Sequence, residues 1–182
     1  ALDVKESLTY MEEAKRYLDR GQLRAARIEL LNSIKANPDN IDARLMLADL
    51  YLRIGQGIAA QAELEAARQQ GASRDGTRVR LGRAFVFQGL HDDALIELDV
   101  NELPSADLAE GYRVRGMAMV GRGDHEDAEK SFLKAEELDD NSANIKVEIA
   151  RAYFRTGRLE EAFAKVERAL ELDPTNIAAW LF

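Results

Sequence analysis

Small residues recur along this chain with a period of 34 residues, and this spacing constrains the fold more than any other feature. A glycine stands at Gly21, Gly55, Gly89, Gly123 and Gly157. An alanine follows five residues after each glycine, at Ala26, Ala60, Ala94, Ala128 and Ala162. Copies that stay in phase without an insertion indicate a repeat array, in which each copy packs on its neighbours and the copies share one core.

Each copy has the spacing of two helices joined by a tight turn. In the first copy Tyr10, Ala14 and Tyr17 lie on one helical face, and we expect this helix to begin near Val4. The glycine of each copy is predicted to end the first helix, because glycine adopts the left-handed conformation without strain. Small residues eight positions into each copy and at the recurring alanine are predicted to be the closest contacts between paired helices.

The copy at residues 143–176 carries the clearest version of the pattern, at Ala150, Tyr153, Gly157, Ala162, Val166, Ala169 and Pro174. It resembles the tetratricopeptide repeat (TPR), a helix-turn-helix unit of this period. The resemblance implies an all-α fold, a right-handed α-α superhelix (a TPR solenoid). It implies a single array over residues 1–182, with repeats at 7–40, 41–74, 75–108, 109–142 and 143–176 and the first helix of a sixth at 177–182.

The third repeat departs from the pattern. Asn101 replaces the usual alanine and Pro104 comes two positions early, so a short second helix is predicted near residues 92–100. The next helix is predicted to begin early, capped by Ser105 or Asp107.

Composition excludes several classes of function. The net charge is −8 at pH 7, which argues against nucleic-acid binding, since phosphate contacts need a concentrated basic face. The chain has no cysteine, and therefore no thiolate nucleophile or disulfide within these residues. No apolar stretch approaches the roughly 20 residues that span a bilayer.

Both ends look cut, so we expect a piece of a longer protein. We also expect Trp180 to pack on the second helix of the fifth repeat.

No catalytic arrangement stands out, and we predict a protein that is not an enzyme and holds no cofactor or metal. His91 and His125 occupy equivalent turn positions in neighbouring repeats. They could share a metal with adjacent acids, but two histidines do not supply the four ligands of a structural zinc site. As exposed turn residues, they would stand beside acids that the helix dipole favours.

In TPR proteins the first helix of each repeat lines the concave face. Carried over by position, the resemblance places a partner-binding groove at Arg83, Phe87, Arg113, Met117, Arg151, Phe154 and Arg155. In the last three repeats, the groove positions carry four arginines and one acid, Glu110. This surface is therefore positively charged, although the chain as a whole is negatively charged. We expect a protein or peptide partner with at least one acidic group. Alternatively, these arginines pair with acids on adjacent helices.

Chaperone-binding TPR proteins hold a terminal carboxylate with a lysine and asparagines. Met11, Lys15 and Met46 occupy those positions here, so that clamp is absent. The segments 14–18, 21–30, 37–40 and 47–52 are similar to the opening repeats of bacterial TPR lipoproteins associated with exopolysaccharide export and PEP-CTERM sorting. This similarity implies an exported or membrane-anchored protein, with a signal peptide and a lipidated cysteine before residue 1.

The function indicated is a non-catalytic scaffold that binds a partner in the groove. Two alternatives remain open. One is a structural module that self-associates through its repeat ends, and the other is a regulatory region of a larger multidomain protein.

Overall fold

The computed structural model describes residues 3–182, and these form helices without strands. The chain divides into two compact units, Ala1–Gln88 and Gly89–Phe182. The boundary falls inside the third repeat, where the sequence departs most from the pattern. None of the described helices is long and apolar enough to cross a membrane.

The first unit contains five helices. They are α1 (Val4–Asp19), α2 (Leu23–Ala36), α3 (Ile41–Arg53), α4 (Gly57–Gln69) and α5 (Arg74–Phe87). Helix α1 packs on α2, and α3 packs on α4, as antiparallel neighbours joined by a glycine turn. The predicted start of the first helix near Val4 is confirmed.

The second unit contains six helices and a 3-10 turn. The helices are α6 (His91–Glu97), α7 (Leu108–Arg122), α8 (His125–Leu138), α9 (Ala143–Arg155), α10 (Leu159–Leu172) and α11 (Ile177–Trp180). The turn, Ser105–Asp107, leads into α7. Within this unit α7 pairs with α8 and α9 pairs with α10.

The recurring glycines end the first helix of each repeat, as predicted. All five have positive φ, from 70° at Gly21 to 89° at Gly123. At the other end, polar side chains cap the start of most first helices. Asn40, Ser142 and Asn176 each accept a hydrogen bond from the backbone amide three residues ahead.

The predicted close contacts between paired helices are confirmed. All five recurring alanines are at most 1% exposed. At the other close position, Gly116 lies against the ring of the buried Phe132, and a Cβ on this glycine would be 2.4 Å from the ring. The helix pair therefore requires a residue without a side chain at this point.

Helix α6 is shorter than predicted, since it ends at Glu97. The Asp99 carboxylate accepts hydrogen bonds from the backbone and side-chain amides of Asn101, which turns the chain early. Arg115 of α7 donates to the carbonyls of Leu95 (3.2 Å) and Leu98 (2.8 Å) at the end of α6. A side chain thus satisfies carbonyls that a longer helix would have bonded internally.

Two local predictions are wrong. Helix α7 begins at Leu108 but no side chain caps it: Asp107 stands at the cap position without a capping hydrogen bond, because the preceding 3-10 turn runs directly into the helix. Trp180 does not pack on α10; it is 68% exposed and its indole N–H donates to the Pro174 carbonyl at 2.9 Å. Phe182 instead meets Phe163 of α10, with ring centroids 6.0 Å apart.

Candidate partner-binding surface

The first helices of the second unit lie side by side. Helix α9 contacts both α7 and α11. Of the residues predicted to bind a partner, Arg113 and Met117 lie on α7, and Arg151, Phe154 and Arg155 lie on α9. The structure thus brings these five onto neighbouring helices of one compact unit, while Arg83 and Phe87 lie on α5 of the first unit.

Arg113 is committed to contacts within the protein. Its side chain is 6% exposed and donates to both carboxylate oxygens of Glu110, at 2.7 and 2.6 Å. Glu148 of α9 lies 3.8 Å from the same guanidinium. Burial alone would lower the pKa of Arg113, but the hydrogen bond and charges of these two acids outweigh it and raise the pKa. Arg113 therefore links α7 to α9 and is not accessible to a partner.

Arg151 is paired differently. Its guanidinium lies 3.2 Å from Glu148, but the arginine side chain is 47% exposed. Ion pairs that solvent reaches contribute roughly 0.2–1 kcal/mol, and solvent reaches this one from the arginine side, so a partner's carboxylate can compete for Arg151. The alternative interpretation, in which the arginines pair with acids of their own unit, thus describes Arg113 fully and Arg151 in part.

The exposed end of α9 carries an aromatic ring and a cation. Phe154 is 55% exposed, and its ring meets Phe182 edge to face at 5.5 Å. Arg155 is exposed, and its guanidinium lies 3.0 Å from Nδ1 of His125 at the start of α8. An apolar surface next to exposed guanidinium groups suits a segment that has both apolar and acidic side chains.

In the first unit, Arg83 and Phe87 form a pair of their own. The guanidinium carbon of Arg83 lies 5.5 Å from the centre of the Phe87 ring, a cation–π distance, and Phe87 is 38% exposed. This contact holds the two side chains one helical turn apart on α5.

The two histidines have separate roles. The ring of His91 packs against α7 at Gly121, where an added Cβ would lie 2.2 Å from it. His125 contacts Arg155. Within residues 3–182, no group of three or more His, Asp or Glu side chains is arranged to hold a metal ion.

Sequence reasoning missed Glu148, which neutralises part of the proposed arginine surface. It was not among the repeat positions from which the groove was predicted. A search for acids one turn before Arg151 would have found it, because residues three apart on a helix are neighbours.

Comparisons with known proteins agree with this architecture. Two tetratricopeptide repeat models match, one over residues 17–75 and the other over residues 114–177. No curated protein matches the sequence. Among solved structures, a thermophilic TPR protein of Thermus thermophilus is 24% identical with a TM-score of 0.79, over 96% of this chain and 95% of that one.

Two further solved structures share the fold at lower identity. MamA from Desulfovibrio magneticus RS-1 is 16% identical with a TM-score of 0.67, over 97% of this chain and 99% of that one. YrrB, described as a TPR protein with an unusual peptide-binding site, is 19% identical with a TM-score of 0.59, over 96% and 90%. With two family models covering most of the sequence and helix pairs in the matching register, the chain belongs to the tetratricopeptide repeat family.

Proposed function

We propose that this protein is a non-catalytic scaffold that binds an acidic, partly apolar segment of a partner protein on α7 and α9. The observation that carries the proposal is the group of exposed side chains on α9: Arg151, Phe154 and Arg155. The TPR fold supports protein–protein interaction in general, and YrrB shows that a protein of this fold can carry a peptide-binding site.

Each proposed residue has a distinct part. Phe154 supplies the apolar contact, together with Met117 of α7. The sulfur atom of Met117 accepts a hydrogen bond from Arg113. Arg151 and Arg155 bind carboxylates. Arg113 positions the surface by joining α7 to α9, and it makes no contact with the partner. Arg83 and Phe87 offer a similar arginine–aromatic pair on the first unit.

The test compares α9 with α10, because the chain offers closely matched residues on the two helices. Arg151 and Arg168 are 47% and 49% exposed, and each pairs with a glutamate three residues away. Phe154 and Phe163 are both 55% exposed, and both meet Phe182. Alanine variants within each pair therefore lose contacts of the same kind, a glutamate ion pair or an edge-to-face contact with Phe182.

Wild-type protein on a resin captures partners from a lysate of the source organism, and titration measures the affinity of a captured partner for each variant. We expect Arg151→Ala and Phe154→Ala to weaken binding by about tenfold or more, which is the effect of a central aromatic or arginine contact. Arg168→Ala and Phe163→Ala should bind like wild type. Equal affinity of all four variants would refute the proposed surface.

A second candidate function, self-association, is favoured by exposed apolar side chains at the end of the second unit. Ile177, Trp180 and Leu181 are 73%, 68% and 80% exposed. Sedimentation of the wild type and of a Trp180→Ser/Leu181→Ser variant tests this function. A concentration-dependent dimer that the double substitution abolishes would support it, and a wild-type monomer at all concentrations would exclude it.

The similarity of the opening repeats to envelope lipoproteins adds the proposal that the partner belongs to the bacterial envelope. Fractionation of cells that express the complete gene tests this location. Recovery of the protein only in the soluble cytoplasmic fraction would refute it.

A further inference from the structure

A cavity in the first unit lies outside the surface proposed above. Its volume is about 550 Å³, which is within the usual range of sites for small ligands or peptide side chains. The beginnings of α1, α3 and α5 surround it. The apolar part of its lining is Val4, Leu8, Ile41, Leu45 and Ala72. Val4 and Leu8 are 54% and 47% exposed, so apolar surface is open to solvent at the entrance.

Hydrogen bonds hold the walls of this cavity in place. The Pro38 carbonyl, in the turn before α3, accepts from Gln70 at 2.6 Å and from Arg44 at 3.0 Å. Asn40 caps α3 and donates to Ser7 at 2.9 Å, and Ser7 is fully buried. These bonds fix the turn that separates α2 from α3, so a ligand would not have to order it.

The charged residues of the lining are both acids. Asp39 and Asp42 line the cavity and are exposed, and no basic residue lines it. Among the described residues, neither carboxylate forms an ion pair with a side chain. Asp42 also stands in the first turn of α3, where the helix dipole favours a negative charge, and this accounts for part of its presence.

We propose that this cavity binds a protein segment with an aliphatic side chain next to a lysine or arginine. The aliphatic group would lie against Leu8 and Leu45, and the cation would pair with Asp39 and Asp42. The partner chemistry is thus opposite in charge to that proposed for α9. The two sites share no residue, so either proposal can fail without the other.

The test uses three short peptides as probes, each acetylated and amidated. They are Gly-Leu-Leu-Lys-Gly, Gly-Leu-Leu-Glu-Gly (the Glu counterpart) and Gly-Ser-Ser-Lys-Gly. Amide chemical shifts of the ¹⁵N-labelled full chain report binding, and Gly71 and Gly76 in the cavity wall are the reporters. We expect the Leu-Leu-Lys peptide to shift both signals. The Glu counterpart should bind roughly three- to tenfold more weakly, because exposed charge pairs contribute modest energies.

Variants separate the charge from the apolar contact. The double variant Asp39→Asn/Asp42→Asn should lose the preference for lysine over glutamate, and Leu8→Ser should weaken both leucine peptides. The control Asp19→Asn, an exposed acid of α1 outside the cavity, should keep the preference. The proposal is overturned if Gly71 and Gly76 do not respond to the Leu-Leu-Lys peptide, if the glutamate peptide binds equally well, or if the Ser-Ser-Lys peptide binds as tightly.

Discussion

Replacing Gly116 with alanine should destabilise the second unit although alanine is the better helix former. Gly116 lies inside α7, where glycine costs about 1 kcal/mol relative to alanine. On helix propensity alone the substitution would therefore stabilise the protein. The packing against α8 has the opposite effect, because the new Cβ would stand 2.4, 2.6 and 2.8 Å from three atoms of the Phe132 ring.

The size of this effect follows from the geometry. Carbon atoms in contact prefer separations of about 3.5 Å, so the ring or the helix must move by about 1 Å. Phe132 is 1% exposed, and protein interiors are close-packed with little free volume. Overpacking of a close-packed site costs about 1–3 kcal/mol. After the propensity gain of about 1 kcal/mol, the net change should be a loss of up to about 2 kcal/mol.

Gly111→Ala is the matched control on the same helix. An added Cβ at Gly111 would lie 2.4 Å from a terminal methyl carbon of Leu103, the far end of a flexible side chain, which adjusts more readily than an aromatic ring. Urea unfolding followed by circular dichroism gives the free energy of unfolding of each variant. We expect Gly116→Ala to be less stable than Gly111→Ala by about 1–3 kcal/mol. Equal stability of the two variants would refute the argument that α7 and α8 require a residue without a side chain at this point.

Three further predictions concern the second unit. Burial opposes ionisation of Glu136, but hydrogen bonds from Lys146 and Lys165 outweigh it and lower the pKa of Glu136. The stability that this shift provides is lost as the pH falls below about 4.5. In urea titrations, the wild type should therefore lose stability on acidification more steeply than Lys146→Met. Arg113→Ala should lower the free energy of unfolding by about 3 kcal/mol, because it removes a buried cation, leaves Glu110 without its partner and leaves Glu148 with Arg151 alone. Replacement of the exposed Arg151 by alanine should cost less than about 1 kcal/mol in the same assay. Gly157→Ala should cost about 1–2 kcal/mol in thermal unfolding, since φ is +78° there and no neighbouring atom is close enough for a clash to contribute.

The helical architecture could be predicted because its causes are local. A glycine that must adopt positive φ, and small residues where two helices touch, are visible in a single repeat and recur in every copy. The short α6 was also predictable, since Asn101 and Pro104 stand inside the segment concerned. The exact end was not, because it depends on Arg115, a residue of the next helix that donates to the α6 carbonyls.

The candidate site was harder to predict because its charges depend on contacts between helices. Arg113 and Arg151 were both predicted to line the groove, yet one is 6% exposed and the other 47%. The difference arises because Arg113 lies between Glu110 of its own helix and Glu148 of α9. Similarly, sequence alone does not decide which aromatic side chain of the last segment packs on α10. The hydrogen bond from Trp180 to Pro174 holds the indole at the surface, and Phe182 meets Phe163 instead.

Site-specific photo-crosslinking tests most directly whether a partner binds on the first helices. The photoreactive residue p-benzoylphenylalanine replaces Phe154 on α9 in one variant and Phe163 on α10 in the other, two positions with the same 55% exposure. Each variant is irradiated with a partner captured by the wild type. The account predicts a covalent adduct from position 154 and none from position 163. An adduct from position 163 alone would contradict it.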